Sequence, residues 1–484
     1  MITKHKLVCL AAVLSALIAS AAEKPPNIVF ILADDMGWAD LPCYGNRFNE
    51  APNLSWLAEE GMRFTDAYAA CPVCSPTRAS ILSGQYPARI GVIDFIPGHW
   101  RPYEKVTVPK NRTQHLPGEI ITMQESMQKA GYRTGYFGKW HLGYAEDQLP
   151  SAQGADESYV FCNYDYYAPE FIPELRPALK GRLSEVLTDL SVDFIEKNQE
   201  QPFFLFLAHY DVHVQLDGDR DLIEKYLKKE KPDGYPGNAV YAAMVEHVDR
   251  SVGRVLQALD RFGLADNTVV FFFSDNGGLI SRFDNVPLIA DRSLDVYAHS
   301  PLKYIATSNL PLRSEKGTVY EGGIREPLIV RWPQKIARGA VCEVPVSSVD
   351  FYPTLLELAG TAAPANQVLD GVSILPALRG KSLDAERPLF WHYPVYHHGV
   401  PAGAVRKGDW KLVENQEDGS LELYNLRADI NESTDVKELY PQKATALYAL
   451  LKNWQNDVGA QLPVPNPDFN AEKRDEWGRH PDRK

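Results

Sequence analysis

The most constraining feature of the chain is the run Asn27–Ala33 (NIVFILA), apolar at nearly every position and leading directly into Asp34-Asp35. A strand with one wet face alternates between apolar and polar residues. A run without that alternation needs cover on both faces, which is the situation of a parallel strand between two layers of helices. Phe203–Ala208, Val269–Phe273 and Leu328–Val330 repeat the pattern. Between them, Leu183, Val186, Leu187, Leu190 and Phe194 fall on one helical face. A second long helix is predicted from Tyr241 to Phe262, with Gly263 at its C′ position. Strand–helix repetition of this kind predicts an α/β domain, a mostly parallel sheet flanked by helices.

The pattern changes after about residue 375. Ala404–Arg406, Trp410–Val413 and Leu421–Tyr424 read as short strands joined by Lys407-Gly408-Asp409 and Glu417-Asp418-Gly419 turns, with a helix from Lys443 to Trp454 behind them. The expected layout is therefore a large domain over 23–375, a small C-terminal antiparallel sheet with one helix over 376–464, and a loosely held polar tail over 465–484. Residues 1–22 read as a signal peptide: a basic start at Lys4-His5-Lys6, an apolar run from Leu7 to Ile18, and Ser20-Ala21-Ala22. That run is too short to span a bilayer, so no membrane span is expected and the protein is predicted to be exported, periplasmic or secreted.

Composition narrows the function classes. The net charge is −13 over 484 residues, with no Lys/Arg-rich stripe, which argues against a nucleic-acid partner. Of six cysteines, Cys9 lies in the leader, leaving Cys43, Cys71, Cys74, Cys162 and Cys342. An odd number in an exported chain leaves at least one thiol unpaired or converted into something else. Their spacing does not resemble a zinc site.

Two of the predicted strands end in oxygen-rich clusters, Asp34-Asp35 and Asp275-Asn276-Gly277-Gly278. In open α/β sheets ligands bind outside the carboxyl ends of the strands, so both clusters point at one crevice. Three carboxylates and an amide form a site for a hard cation, Ca²⁺ or Mg²⁺, rather than zinc. Each cluster alone also reads as an ordinary strand-end turn. The segment Cys71–Gly91 (CPVCSPTRASILSGQYPARIG) adds a second element. Ser75 is a favoured N-cap and Pro76 a favoured first helical residue, so a helix is expected to begin just after Cys74. Its free N–H groups and positive dipole end make an anion site beside the thiol, and Arg78 adds a fixed charge. On these residues alone, Cys74 is either a nucleophile or a buried thiol.

Cys74-Ser75-Pro76-Thr77-Arg78 resembles the Cys-x-Pro-x-Arg core of the type I, formylglycine-dependent sulfatases, members of the alkaline-phosphatase-like superfamily. Thr77 stands where Ser is common. Gly135–Gly143 (GYFGKWHLG) resembles the second signature of that family, Phe203–His213 (FFLFLAHYDVH) its leaving-group histidine strand, and Lys316–Arg325 (KGTVYEGGIR) its second sulfate-binding loop. Arg406–Leu412 (RKGDWKL) extends the likeness into the small domain. The resemblance implies that Cys74 is oxidised to formylglycine by a formylglycine-generating enzyme, which would account for the odd cysteine. It implies a calcium ion, more than magnesium, held by Asp34, Asp35, residue 74, Asp275 and Asn276. It also implies catalytic roles for Arg78, Lys139, His141, His213 and Lys316, with Lys139, His213 and Lys316 touching substrate. By position the acid is His213, not His209.

The implied activity is hydrolysis of sulfate esters on sulfated oligo- or polysaccharides. Two alternatives stand beside it: a phosphatase or phosphodiesterase of the same superfamily, and a non-catalytic protein that binds sulfated glycans. Phosphatases of that superfamily usually present Ser or Thr and a His-rich zinc pair, against Cys74 and one hard-oxygen site here. His99-Trp100-Arg101 and Trp391–His398 read as packing or surface loop, with a pocket wall as the other reading of each.

Overall fold

A computed structural model describes residues 24–478 except 99, 283 and 285. The expected leader at 1–22 and His99 lie outside the described residues. In chain order the strands are β1 (Asn27–Ala33), β2 (Met62–Tyr68), β3 (Val106–Thr107), β4 (Arg133–Lys139), β5 (Glu157–Phe161), β6 (Phe171–Ile172), β7 (Phe203–Ala208) and β8 (Thr268–Ser274). Then follow β9 (Arg325–Arg331), β10 (Ala340–Cys342), β11 (Val346–Ser347), β12 (Leu389–Tyr393), β13 (Ala402–Lys407), β14 (Trp410–Asn415), β15 (Leu421–Asn425) and β16 (Val464–Pro465).

Among the described residues, ten strands form one sheet in the order β10-β2-β9-β8-β1-β7-β4-β5-β6, with β11 also paired to β2. The unbroken apolar run sits at its centre. β1 is parallel to β7 on one side and β8 on the other, with Ile28 opposite Phe204 and Val269. Its side chains alternate between two cores: Val29 and Ile31 join the helices Leu183–Lys197 and Ala239–Arg261 on one face. Ile28, Phe30 and Leu32 join Cys74–Ser83 and Phe351–Ala359 on the other. Both faces are therefore dry. Phe30 shows how tightly they pack, with ring centroids 5.0 Å from Phe206 and 5.1 Å from Phe351; truncating such a ring costs about 3–5 kcal/mol.

The sheet is mixed rather than wholly parallel. β9 runs antiparallel to both β8 and β2, and β6 antiparallel to β5; a short apolar run carries no information about strand direction. The long helix starts at Ala239, two residues ahead of the expected Tyr241, because Asn238 caps it by accepting the N–H groups of Val240 and Tyr241. Gly263 sits at C′ with φ +68, as the sequence predicts.

The small antiparallel sheet, β12-β13-β14-β15, is backed by the helix Pro441–Asp457. Its first strand, β12, includes Trp391–Tyr393 of the aromatic segment read from sequence as packing or loop, and Phe390 stacks on Trp454 at 4.7 Å. A buried charge cluster joins this sheet to the large one. Lys411 pairs with Glu321 and Glu432 at 2.8 Å each, while Glu321 also accepts from Arg325 and the Tyr68 hydroxyl at 2.7 Å. The tail departs from expectation: its described part is tied down. β16 pairs with β3, the N–H groups of Asn466, Asn470 and Gly478 donate to Lys105, Tyr103 and Trp100, and the Arg101 guanidinium lies 4.2 Å over the Trp477 ring. Its polar composition serves hydrogen bonds to the 100–107 backbone.

Candidate active site

The parallel strands β8, β1, β7 and β4 are adjacent, so their carboxyl ends open on one edge of the sheet. β1 delivers Asp34 and Asp35 there, β8 delivers Asp275 and Asn276, β4 delivers Lys139 and then His141, and the segment after β7 delivers His213. The antiparallel direction of β9 matters here. Its amino end lies at the same edge, which brings in Lys316 from the loop ahead of it.

Asp34, Asp35 and Asp275 each present a carboxylate oxygen within 4.8 Å of one another, and Asp34 does the same with the Cys74 thiol and His213. The chain is held there by its backbone: the Asp34 N–H donates to the Asp211 carbonyl at 3.0 Å and the Asp35 N–H to Asp275 Oδ1 at 3.3 Å. Asp35 takes up φ +61, a left-handed conformation that Asp tolerates better than most side chains. Asn276 donates its amide to Asp35 Oδ1 at 2.8 Å, which leaves its own Oδ1 buried without a partner; Asp34 Oδ1 is in the same state. Burial and the neighbouring Asp275 push the Asp34 carboxyl up to about 7. The two orphaned oxygens, on Asp34 and Asn276, fit a divalent cation, which would reverse that shift.

Three fixed cations flank the carboxylates. Arg78 grips Asp275 Oδ2 through Nε at 2.9 Å and Nη2 at 2.8 Å, and donates Nη1 to the Lys139 carbonyl at 2.8 Å. Lys139 donates to Asp34 at 2.5 Å and Lys316 to both oxygens of Asp35 at 2.6 and 2.8 Å. Burial opposes charge on both lysines, but Asp34 and Asp35 outweigh it and hold them protonated. In return Asp35, despite burial, is held well below the usual carboxylate range, chiefly by Lys316 and His213.

Cys74 is the first residue of the helix Cys74–Ser83, with Val73 as N-cap. The helix thus begins two residues earlier than the sequence predicts, at Cys74 rather than Pro76, because Ser75 does not cap it. The Ser75 hydroxyl donates to the His141 carbonyl at 2.8 Å and accepts the Ile96 N–H at 3.1 Å. Burial pushes the Cys74 thiol up, against the flanking lysines, so unmodified Cys74 is not a poised thiolate. All five described cysteines are unpaired.

The histidines divide by environment. His141 is bound through Nε2 to the Ile96 carbonyl at 2.8 Å, and its buried Nδ1 has no partner. Burial and then Lys139 hold it well below the ordinary imidazole range. His213 stacks on Tyr210 at 4.8 Å, bonds Nδ1 to the Val214 carbonyl at 2.5 Å, and turns Nε2 toward Asp35 at 3.7 Å. His209 is fully buried with neither ring nitrogen bonded. Asp34, Asp35, Cys74, Arg78, Lys139, His141, His213, Asp275, Asn276 and Lys316 are thus brought to this edge.

Sequence reading passed over the supports. Tyr210 backs both His213 and Lys139, whose Nζ lies 5.4 Å over its ring; its place between the two histidines of AHYDVH was a usable signal. Arg182 clamps Asp211 beneath the segment that carries His213 and also bonds the Asp217 carbonyl at 3.0 Å. Arg182 lies too far along the chain for any local pattern to announce that role.

Comparison with known proteins adds a separate line of observation. Residues 26–361 match the family profile described as Sulfatase, and residues 314–457 that of the N-sulphoglucosamine sulphohydrolase C-terminal region. A protein of Formosa agariphila named Sulfatase is 33% identical, over 93% of this chain and 92% of its own length. The N-acetylgalactosamine-6-sulfatase of Canis lupus familiaris is 34% identical over 81% and 72%. Among solved structures, Ps i-CgsB in complex with k-i-k-neocarrahexaose superposes with a TM-score of 0.75 at 27% identity, covering 92% of this chain and 95% of its own.

Proposed function

Because the chain belongs to the sulfatase family and is a sulfuric ester hydrolase, we propose that it removes sulfate from carbohydrates outside the cytoplasm, with calcium between the ends of β1 and β8 and formylglycine at position 74. The observation that carries this reading is the convergence of the Cys74 side chain, at a helix N-terminus, on a carboxylate cluster with two orphaned oxygens. Names and ligands among the similar proteins, an N-acetylgalactosamine-6-sulfatase and a complex with a neocarrahexaose, support the carbohydrate assignment. The basic start and apolar run of residues 4–18 support export.

Asp34, Asp35, Asp275 and Asn276, with residue 74, would hold the calcium ion. When bound there, calcium would supply Lewis-acid chemistry for the sulfate ester and the nucleophile. Formylglycine at position 74 would supply a hydrated aldehyde, a nucleophilic hydroxyl with a second, deprotonatable hydroxyl on the same carbon. Everything else falls to residues of the chain. Lys139 and Lys316, already aligned on the carboxylates, take the non-bridging oxygens of the ester and offset the charge of the transition state. Arg78 fixes Asp275 and the carbonyl of Lys139, so ligand and cation keep their spacing. His213 donates its Nδ1–H to the Val214 carbonyl, so Nε2 faces the pocket; in the imidazolium form, which Asp35 favours and burial opposes, it hands its Nε2 proton to the departing sugar oxygen. His141 has its Nε2–H committed to Ile96, so Nδ1 is the base left to take a proton from residue 74.

The test is sulfate release by enzyme produced with a formylglycine-generating system, on a panel of O-sulfated mono- and oligosaccharides with 4-nitrophenyl phosphate as control. Turnover of at least one sugar sulfate, far above that of the phosphate ester, is expected. Faster phosphate hydrolysis would favour the phosphatase reading, and binding without release the glycan-binding one.

A further inference from the structure

We infer that Tyr164 is a stacking platform for a pyranose ring of the substrate, and hence a specificity-determining residue. The inference rests on the carbohydrate reading above and names the side chain that meets the sugar. β4 and β5 are parallel neighbours, so the segments leaving their carboxyl ends emerge beside each other at the edge that holds the site. The first carries Lys139, His141 and then Tyr144; the second carries Tyr164.

Three rings connect the site to solvent at this point. His213 stacks on Tyr210 at 4.8 Å, and Tyr210 meets Tyr164 at 5.7 Å. Tyr210 is buried, whereas Tyr164 is 52% exposed. The leaving oxygen lies at His213, so the ring attached to it extends outward along this series. A pyranose has an apolar face of C–H groups and a rim of hydroxyls. A tyrosine that presents its face at the mouth complements the former and leaves the latter wet.

The backbone supports a purpose for this exposure. Tyr164 has φ +59, a left-handed conformation that a bulky residue rarely adopts. The turn around it is braced to keep it there. Asn163 accepts the Glu170 N–H at 3.0 Å and donates to the Ala168 carbonyl at 2.8 Å, while Asp165 accepts the N–H groups of Tyr167 and Ala168 at 2.8 and 3.0 Å. A strained, braced and exposed aromatic one ring away from the proposed acid is a built feature.

The experiment uses the full chain and the sugar sulfate that the wild type hydrolyses fastest among galactose 6-sulfate, N-acetylgalactosamine 4- and 6-sulfate and N-acetylglucosamine 6-sulfate. Tyr164→Ala should raise KM roughly three- to tenfold, the loss of one stacked ring, with kcat little changed. Tyr164→Phe should restore KM. The inhibition constant of inorganic sulfate, which reaches the anion pocket but not the platform, should stay at the wild-type value in both variants. An unchanged KM in Tyr164→Ala overturns the inference. So does a sulfate inhibition constant that rises in step with KM, or a kcat that collapses, since either means that Tyr164 only supports Tyr210 and His213. A wild type that releases sulfate from no sugar in the panel overturns the carbohydrate reading itself, and this inference with it.

Discussion

Ser75→Ala is the most discriminating perturbation of the site, because it removes one hydroxyl that touches no proposed reacting group. In the folded protein that hydroxyl is fully buried, donates to the His141 carbonyl at 2.8 Å and accepts from the Ile96 N–H at 3.1 Å. Ile96 in turn holds the His141 ring through its carbonyl. Alanine leaves the buried His141 carbonyl and the half-buried Ile96 N–H unpaired and frees the segment that sets the direction of His141. Each neutral hydrogen bond contributes about 0.5–1.5 kcal/mol, so the loss is about 1–3 kcal/mol. Expressed wholly at the His141 step, that is a fall in kcat of roughly five- to 150-fold, since about 1.4 kcal/mol is tenfold. The assay is steady-state kinetics on the best sugar sulfate, with the inhibition constant of inorganic sulfate and a thermal melt as controls. The expected result is a lower kcat with near-normal sulfate binding. A kcat within about twofold of wild type, in a protein that melts normally, would refute the reasoning that Ser75 positions His141.

Other consequences are equally concrete. Asn276→Ala removes one of the oxygens proposed to hold calcium, so calcium should stabilise the variant far less than the wild type in a melt run with EGTA and with added calcium. Wild type saturated at about 100 times its Kd should gain about 2.7 kcal/mol, and a wild type indifferent to both additions would remove calcium from the account. Lys411→Met leaves Glu321 and Glu432 buried without their shared cation, and breaking such pairs costs about 3–5 kcal/mol. Glu432, already pushed up to about 7 by burial, takes up a proton and moves the loss toward the lower figure. Urea unfolding followed by tryptophan fluorescence measures it, and a loss below about 1 kcal/mol would show that the cluster does not hold the two sheets together.

Much of this was legible before any coordinates. A strand-length apolar run without alternation, rich in β-branched residues and Phe, suits a strand covered on both faces, and β1 lies in such a place. The acidic clusters could be assigned to one crevice because parallel strands put their carboxyl ends on one edge. What escaped depended on tertiary geometry. The direction of β9 has no local signal, although it is the reason Lys316 reaches the site. Ser75 has the propensity of a helix cap, but a competing bond to His141 outweighs that propensity, and the helix starts at Cys74 instead. The tail looked loose because its residues are polar, yet polar residues are also what a chain needs to bond an irregular loop such as 100–107. Arg182 and Asp211 meet only in the folded chain.

The central claim is that residue 74 acts as formylglycine, and the most direct measurement is the mass of the peptide that contains it, from protein produced alongside a formylglycine-generating enzyme. The account predicts a mass matching the aldehyde or its hydrate, together with loss of turnover in Cys74→Ala at unchanged melting temperature. An unmodified thiol at position 74 in a host that converts a control substrate, in protein that still releases sulfate, would contradict it.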